Sequence, residues 1–180
     1  SSIQTRRIRL LGGKTIQRLF AVLDPSGDDM NNVQPTITAL GPVAHIYAPQ
    51  TLTDTEITFI ATDLAQTHRV PVVLTPVTPG TVRAHTATSE LQLPQDLATL
   101  FGADHPFIDT LGDDLLRLCE HPDAGDFILL GWCDGVTPLS FAKENGAHAG
   151  CNPEETNGFA LLPGDTVLPP RKSDYLRPTD

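Results

Sequence analysis

Asp126-Phe127-Ile128-Leu129-Leu130-Gly131-Trp132 is the stretch on which the fold turns. It is a nearly continuous apolar run of strand length, the pattern of a strand covered on both faces. A strand of that kind belongs at the centre of a sheet with helices packed on either side.

The segments around it supply such a sheet. Val43-Ala44-His45-Ile46-Tyr47 reads as a short strand closed by Pro49, and Thr53-Asp54-Thr55-Glu56 then forms a Thr-x-x-Glu capping box. From that cap Ile57, Ile60, Ala61, Leu64 and Ala65 fall at three- and four-residue spacings, which predicts a helix ending near His68. Val70 to Leu74 comes next as a strand, and the turn from Pro76 to Gly80 leads into another over Thr81 to Ala87. Pro94 to Phe101 and Ile108 to His121 read as helices, the second stopped by Pro122. Gly158-Phe159-Ala160-Leu161-Leu162-Pro163 is expected to be the last short strand. The fold class is therefore α/β, a mixed sheet flanked by helices.

Residues 1–42 read as an N-terminal connector and first strand, and 43–180 as the α/β portion. The connector holds Arg6, Arg7, Arg9, Lys14 and Arg18, a solvated basic face, before Leu19 to Leu23 reads as a strand. The chain lacks an initial Met and stops at Pro178-Thr179-Asp180, so a piece of a longer protein is expected.

Composition narrows the function classes. Twelve basic against 22 acidic residues give a formal net charge of −10, which repels nucleic-acid backbones and anionic membranes at long range. A phosphate-ester substrate remains compatible, because a bound metal pair reverses the local potential. Cys119, Cys133 and Cys151 form no C-x-x-C pair and read as buried thiols. No signal-peptide core or run of ~20 apolar residues occurs, so a membrane role would need segments outside these residues. Localisation is open.

The most informative polar stretch runs from Phe141 to Thr156. Gly146, Ala147, Ala149 and Gly150 enclose His148 with small residues, which lets the imidazole be aimed at a bound atom. A neutral imidazole suits zinc, and Glu144 and Glu154 are the nearest carboxylates able to orient it through its other nitrogen. A simple loop hydrogen bond is the alternative. Asp104-His105-Pro106 is the only Asp-His pair and reads as a turn, while Asp24-Pro25-Ser26-Gly27 ends a short apolar strand. His45, His68, His85 and His121 each have packing or capping explanations, and no two share an i, i+4 spacing on one helix. No Gly-x-Ser-x-Gly elbow supports a Ser140, His148, Asp165 triad.

The order Gly125-Asp126, Ile128 to Gly131, His148 and Phe159 to Pro163 resembles the C-terminal metal-histidine motif of type I phosphodiesterases and nucleotide pyrophosphatases. In that motif a Gly-x-His-Gly loop comes after a Gly-Asp-strand element. The resemblance covers roughly Val43 to Asp180 and implies the C-terminal portion of an alkaline-phosphatase-like sandwich. It implies two divalent metals, usually zinc, flanking a Thr or Ser nucleophile, with His148 as one ligand and a small phosphate ester as substrate. No Asp-His-Gly precedes His148; Asp24 sits near where one would fall, and Asp104-His105 carries Pro in place of Gly. The nucleophile and remaining ligands are thus expected from the rest of a parent chain, and these residues alone are expected to be inactive. A non-catalytic binding or assembly domain on a degenerate version of the scaffold is the alternative.

Overall fold

Thr53 caps the first described helix as its sequence requires. Its hydroxyl accepts from the Glu56 N–H at 3.3 Å while the Glu56 carboxylate accepts from the Thr53 N–H at 2.7 Å, satisfying both ends of the capping box. The capped helix, α1 (Asp54–Gln66), buries Ile60, Ala61, Leu64 and Ala65 as its spacing predicts. The computed structural model describes residues 35–142, 148–156, 158–168, 170, 175 and 176. The strand read over Leu19 to Leu23 lies outside them.

Among the described residues, six strands form one sheet: β1 (Thr36–Leu40), β2 (Val43–Tyr47), β3 (Val72–Thr78), β4 (Thr81–His85), β5 (Glu90–Leu93) and β6 (Phe127–Leu130), in the spatial order β1-β2-β6-β3-β4-β5. Helices α2 (Leu97–Phe101) and α3 (Ile108–Glu120) connect β5 to β6, and a single turn, α4 (Pro153–Thr156), comes later. Strand β1 precedes residue 43 yet pairs along its whole length with β2.

The α/β class holds, and the sheet is flanked by helices. The expected mixture of parallel and antiparallel pairing is corrected, because every neighbouring pair is antiparallel. Strands β2 and β3 do run parallel to each other across the α1 crossover, but they do not touch. Strand β6 enters between them, antiparallel to both, with Leu129 opposite Ala44 on one side and Val73 on the other. The unit is a split βαβ whose gap is filled by a strand from about 80 residues downstream.

All four β6 residues are buried. Phe127 and Leu129 pack with Ala44, Ile46, Val73 and the α1 stripe, while Ile128 and Leu130 pack with Val72, Leu74 and the apolar sides of α2 and α3. Each such side chain contributes roughly 1.5–3 kcal/mol on burial. Two helical layers thus cover both faces of an antiparallel sheet, which more often leaves one face to water.

The strand expected over Gly158 to Pro163 is absent. That segment belongs to no strand and pairs with no described strand, and Phe159 and Leu161 stand 91% and 90% exposed. Its apolar content matches a strand, but among the described residues no sheet edge meets it. No described helix is long and apolar enough to cross a membrane.

Just after β6, the Gly131 N–H donates to the Pro42 carbonyl at 2.7 Å and its own carbonyl accepts from Leu139 N–H at 2.8 Å. A methyl group at Gly131 would collide with the Leu139 carbonyl oxygen and touch Pro42. Gly131→Ala is expected to lower unfolding free energy by about 3 kcal/mol or more, since backbone must move. Leu161→Ala, on an exposed side chain, should change it by less than ~0.5 kcal/mol. Urea denaturation of the two variants checks the contrast.

Candidate functional site

The chain leaving β6 folds back on the β1–β2 turn. Phe141 N–H donates to the Gly41 carbonyl at 2.7 Å, and Leu139 and Phe141 insert into the core beneath α1. After this clamp the chain reaches His148, whose side chain is exposed and bonds to no described residue.

Residues 149–156 are tightly held. Ala149 takes a left-handed backbone (φ 72°), and Gly150 donates its N–H to the Glu155 carboxylate at 3.1 Å. A Cβ at Gly150 would meet both Glu155 and Pro42, so the close approach requires glycine there. Asn152 accepts from the Glu154 N–H through its side chain and from the Glu155 and Thr156 N–H groups through its carbonyl. The imidazole of His148 therefore projects from a loop pinned on its C-terminal side.

Glu155, not singled out by sequence position, is the carboxylate that fixes this loop. Glu154 is exposed, and Glu144 and Asp24 lie outside the described residues. Chain proximity favours Glu144 and Glu154 alike, whereas only the turn of α4 brings Glu155 back to Gly150.

Asp104 is exposed, but His105 is 5% exposed and fully engaged. Its Nδ1 accepts from the Phe107 N–H at 3.2 Å, so the proton sits on Nε2, which donates to the Cys151 carbonyl at 2.8 Å. Both nitrogens of the neutral ring are thus occupied, and the contact ties the His148 loop to the start of α3. Tyr175 also packs on the start of α3, edge-on to Phe107 at 4.6 Å and with its hydroxyl 3.1 Å from Thr110 Oγ1.

A polar cluster of another kind lies on the α1 face of the sheet. Thr75 Oγ1 is 3.3 Å from His85 Nε2, and His85 Nδ1 is 3.5 Å from the Glu90 carboxylate. Arg83 spans Glu90, Asp54 and Thr58. The order hydroxyl, imidazole, carboxylate is that of a nucleophilic relay. Thr75 and His85, however, are 1% and 2% exposed, so no substrate reaches the hydroxyl and the cluster fastens α1 to the sheet edge. The register of β4 against β5 places His85 opposite Glu90, which the alternation within each strand does not disclose.

All three cysteines are free and buried. Burial pushes the Cys119 and Cys151 thiols up to about 12 and Cys133 up to about 11. Burial thus keeps them protonated near neutrality and poor as nucleophiles. Among the described residues, no group of three or more His, Cys, Asp or Glu side chains could hold a metal ion. No protein-family model matches this chain, and neither a curated protein nor a solved structure does.

Burial lowers the pKa of His85 and of His45 below the ordinary 6.5. The His45 Nδ1 also accepts from Gly125 N–H at 3.1 Å, which a proton on that nitrogen would abolish. With folded values depressed, the unfolded chain binds protons first. Their stabilisation is present above about pH 6.5 and is lost as pH falls through the depressed values. Thermal unfolding at pH 7.5 and 5.5 should show a lower Tm in acid and a smaller acid loss in His45→Asn, whose amide oxygen can replace Nδ1. An equal loss in that variant would remove His45 from the account.

Proposed function

We propose that this chain is the C-terminal part of a metal-dependent phosphate-ester hydrolase of the alkaline-phosphatase superfamily, of phosphodiesterase or nucleotide-pyrophosphatase type. In this reading His148 supplies one metal ligand, and the rest of the parent protein supplies the nucleophile and the other ligands. The observation that carries the reading is the state of His148: an exposed imidazole bonded to no described residue, on a loop pinned at Gly150 and Cys151.

The donor set fits one corner of a zinc site. A neutral imidazole with no bond to any described residue is a suitable ligand, and zinc takes three or four such donors. In this reading the other donors come from outside the described residues. When bound, the metal pair would activate the nucleophile and stabilise charge on the phosphoryl oxygens. This chain's part in that reading is to position the loop that carries His148.

Phe159, Leu161 and Val167, each about 90% exposed, add support of a second kind. Large apolar side chains clustered along one exposed segment mark a surface that another body covers, and the remainder of the parent would be that body. A binding or assembly domain would use the same surface, so the decisive test is on the histidine.

In the full parent protein, His148→Ala should remove about one zinc equivalent by elemental analysis and cut hydrolysis of bis(p-nitrophenyl) phosphate by more than roughly 100-fold, since disturbing even a supporting group of a metal site costs 10–100-fold. His105→Asn tests the neighbouring structural contact and should lower Tm while leaving zinc content intact. Unchanged zinc and unchanged hydrolysis in His148→Ala would leave the binding-domain reading in its place.

A further inference from the structure

The end of α1 contains a backbone feature that its own sequence does not favour. Arg69 takes φ 57°, a left-handed conformation that glycine adopts freely and an arginine does not. It turns the chain so that Val70 N–H reaches the Leu64 carbonyl at 3.1 Å and β3 can begin. Any residue of the left-handed class would serve that turn, and strained positions of this kind gather at ligand clamps.

Arg69 lines a cleft of about 1020 Å³ between the end of α1, the β4–β5 turn, α2 and the segment after β6. The volume suits a small-molecule ligand. Val70, Leu100 and Leu139 line it with buried apolar side chains. The exposed Thr67, Thr88, Thr99 and Thr137 also line it, and their hydroxyls bond to no described residue.

The charges are separated. Arg69 is exposed and forms no ion pair or hydrogen bond with any described residue, whereas the neighbouring His68 is held by Asp63 at 3.3 Å. Asp134 lines the cleft from the segment after β6. One guanidinium recognises one phosphate or carboxylate through two parallel bonds, and the Asp134 carboxylate would repel a second anion while accepting from ligand hydroxyls. Phe, Tyr and Trp are missing from the described lining, so the flat stacking surface that a nucleobase favours is not provided there.

We infer that this cleft binds a hydroxylated small molecule bearing a single anionic group, a sugar phosphate or sugar acid, with Arg69 on the anion. The hydroxyls of Thr67, Thr88, Thr99 and Thr137 face its hydroxyl groups, and the apolar floor meets its C–H face. The inference does not depend on a metal or on His148.

Arg69→Gly is the informative variant, because glycine adopts the observed φ without strain and should fold at least as well. Glucose 6-phosphate, gluconate, glucose and inorganic phosphate would each be titrated into the 15N-labelled chain in EDTA. Amide shifts should saturate at Thr67, Thr88 and Thr137 for at least one of the two anionic sugars. That sugar should bind roughly 10-fold or more tightly than glucose or phosphate alone, and Arg69→Gly should lose this advantage. The tighter of the two names the anion. Absence of saturation with both, equal affinity for glucose, or an unaffected Arg69→Gly would overturn the inference.

Discussion

The structure depends on β6 filling the space between β2 and β3. Without it, the β1–β2 hairpin and the β3–β4–β5 meander share no hydrogen bonds, and α1 would bridge two separate ribbons. With it, backbone pairing runs unbroken from β1 to β5, and each β6 side chain enters one of two cores in turn. The four residues Phe127 to Leu130 are therefore both the sheet's seam and the point where its helical layers acquire a common floor.

The chain beyond β6 inherits its position from that seam. Gly131 bonds to the β1–β2 turn, Phe141 returns to the same turn, and Gly150 packs against Pro42. One short hairpin connection thus organises three successive passes of a chain that has little regular structure of its own. The segment from Gly150 onward, just after His148, shares this anchoring.

Local patterning is enough to find the elements whose cause is local. The Thr53–Glu56 cap, the α1 stripe, β2, α3 and the doubly buried character of Phe127 to Leu130 all arise from periodicities within a dozen residues. The neighbours of β6 do not, because Ile46 opposite Phe127 is a long-range pairing. Pattern alone therefore suggests a mixed sheet where the pairing is antiparallel throughout. Gly158 to Pro163 shows the converse: apolar content alone cannot make a strand when no described edge meets it. In the candidate site, His148 is legible from its small neighbours. Glu155 is not, because its contact with Gly150 depends on the turn of α4. Arg69 is not either, because a left-handed arginine leaves no compositional trace. The Thr75, His85 and Glu90 cluster needs the register of three strands.

The order in which the strands emerge during synthesis has a consequence for folding. Both neighbours of the gap are complete by residue 78, yet the strand that joins them is not made until residue 130. At roughly 5–20 residues per second, the half-sheet waits several seconds with the facing edges of β2 and β3 unpaired. Sequence-distant closure of this kind is also slow after synthesis, because loop entropy must be overcome before the contact rewards it. The nascent chain thus has a period in which a foreign strand can take the vacancy, and holding that vacancy open is a task suited to a chaperone.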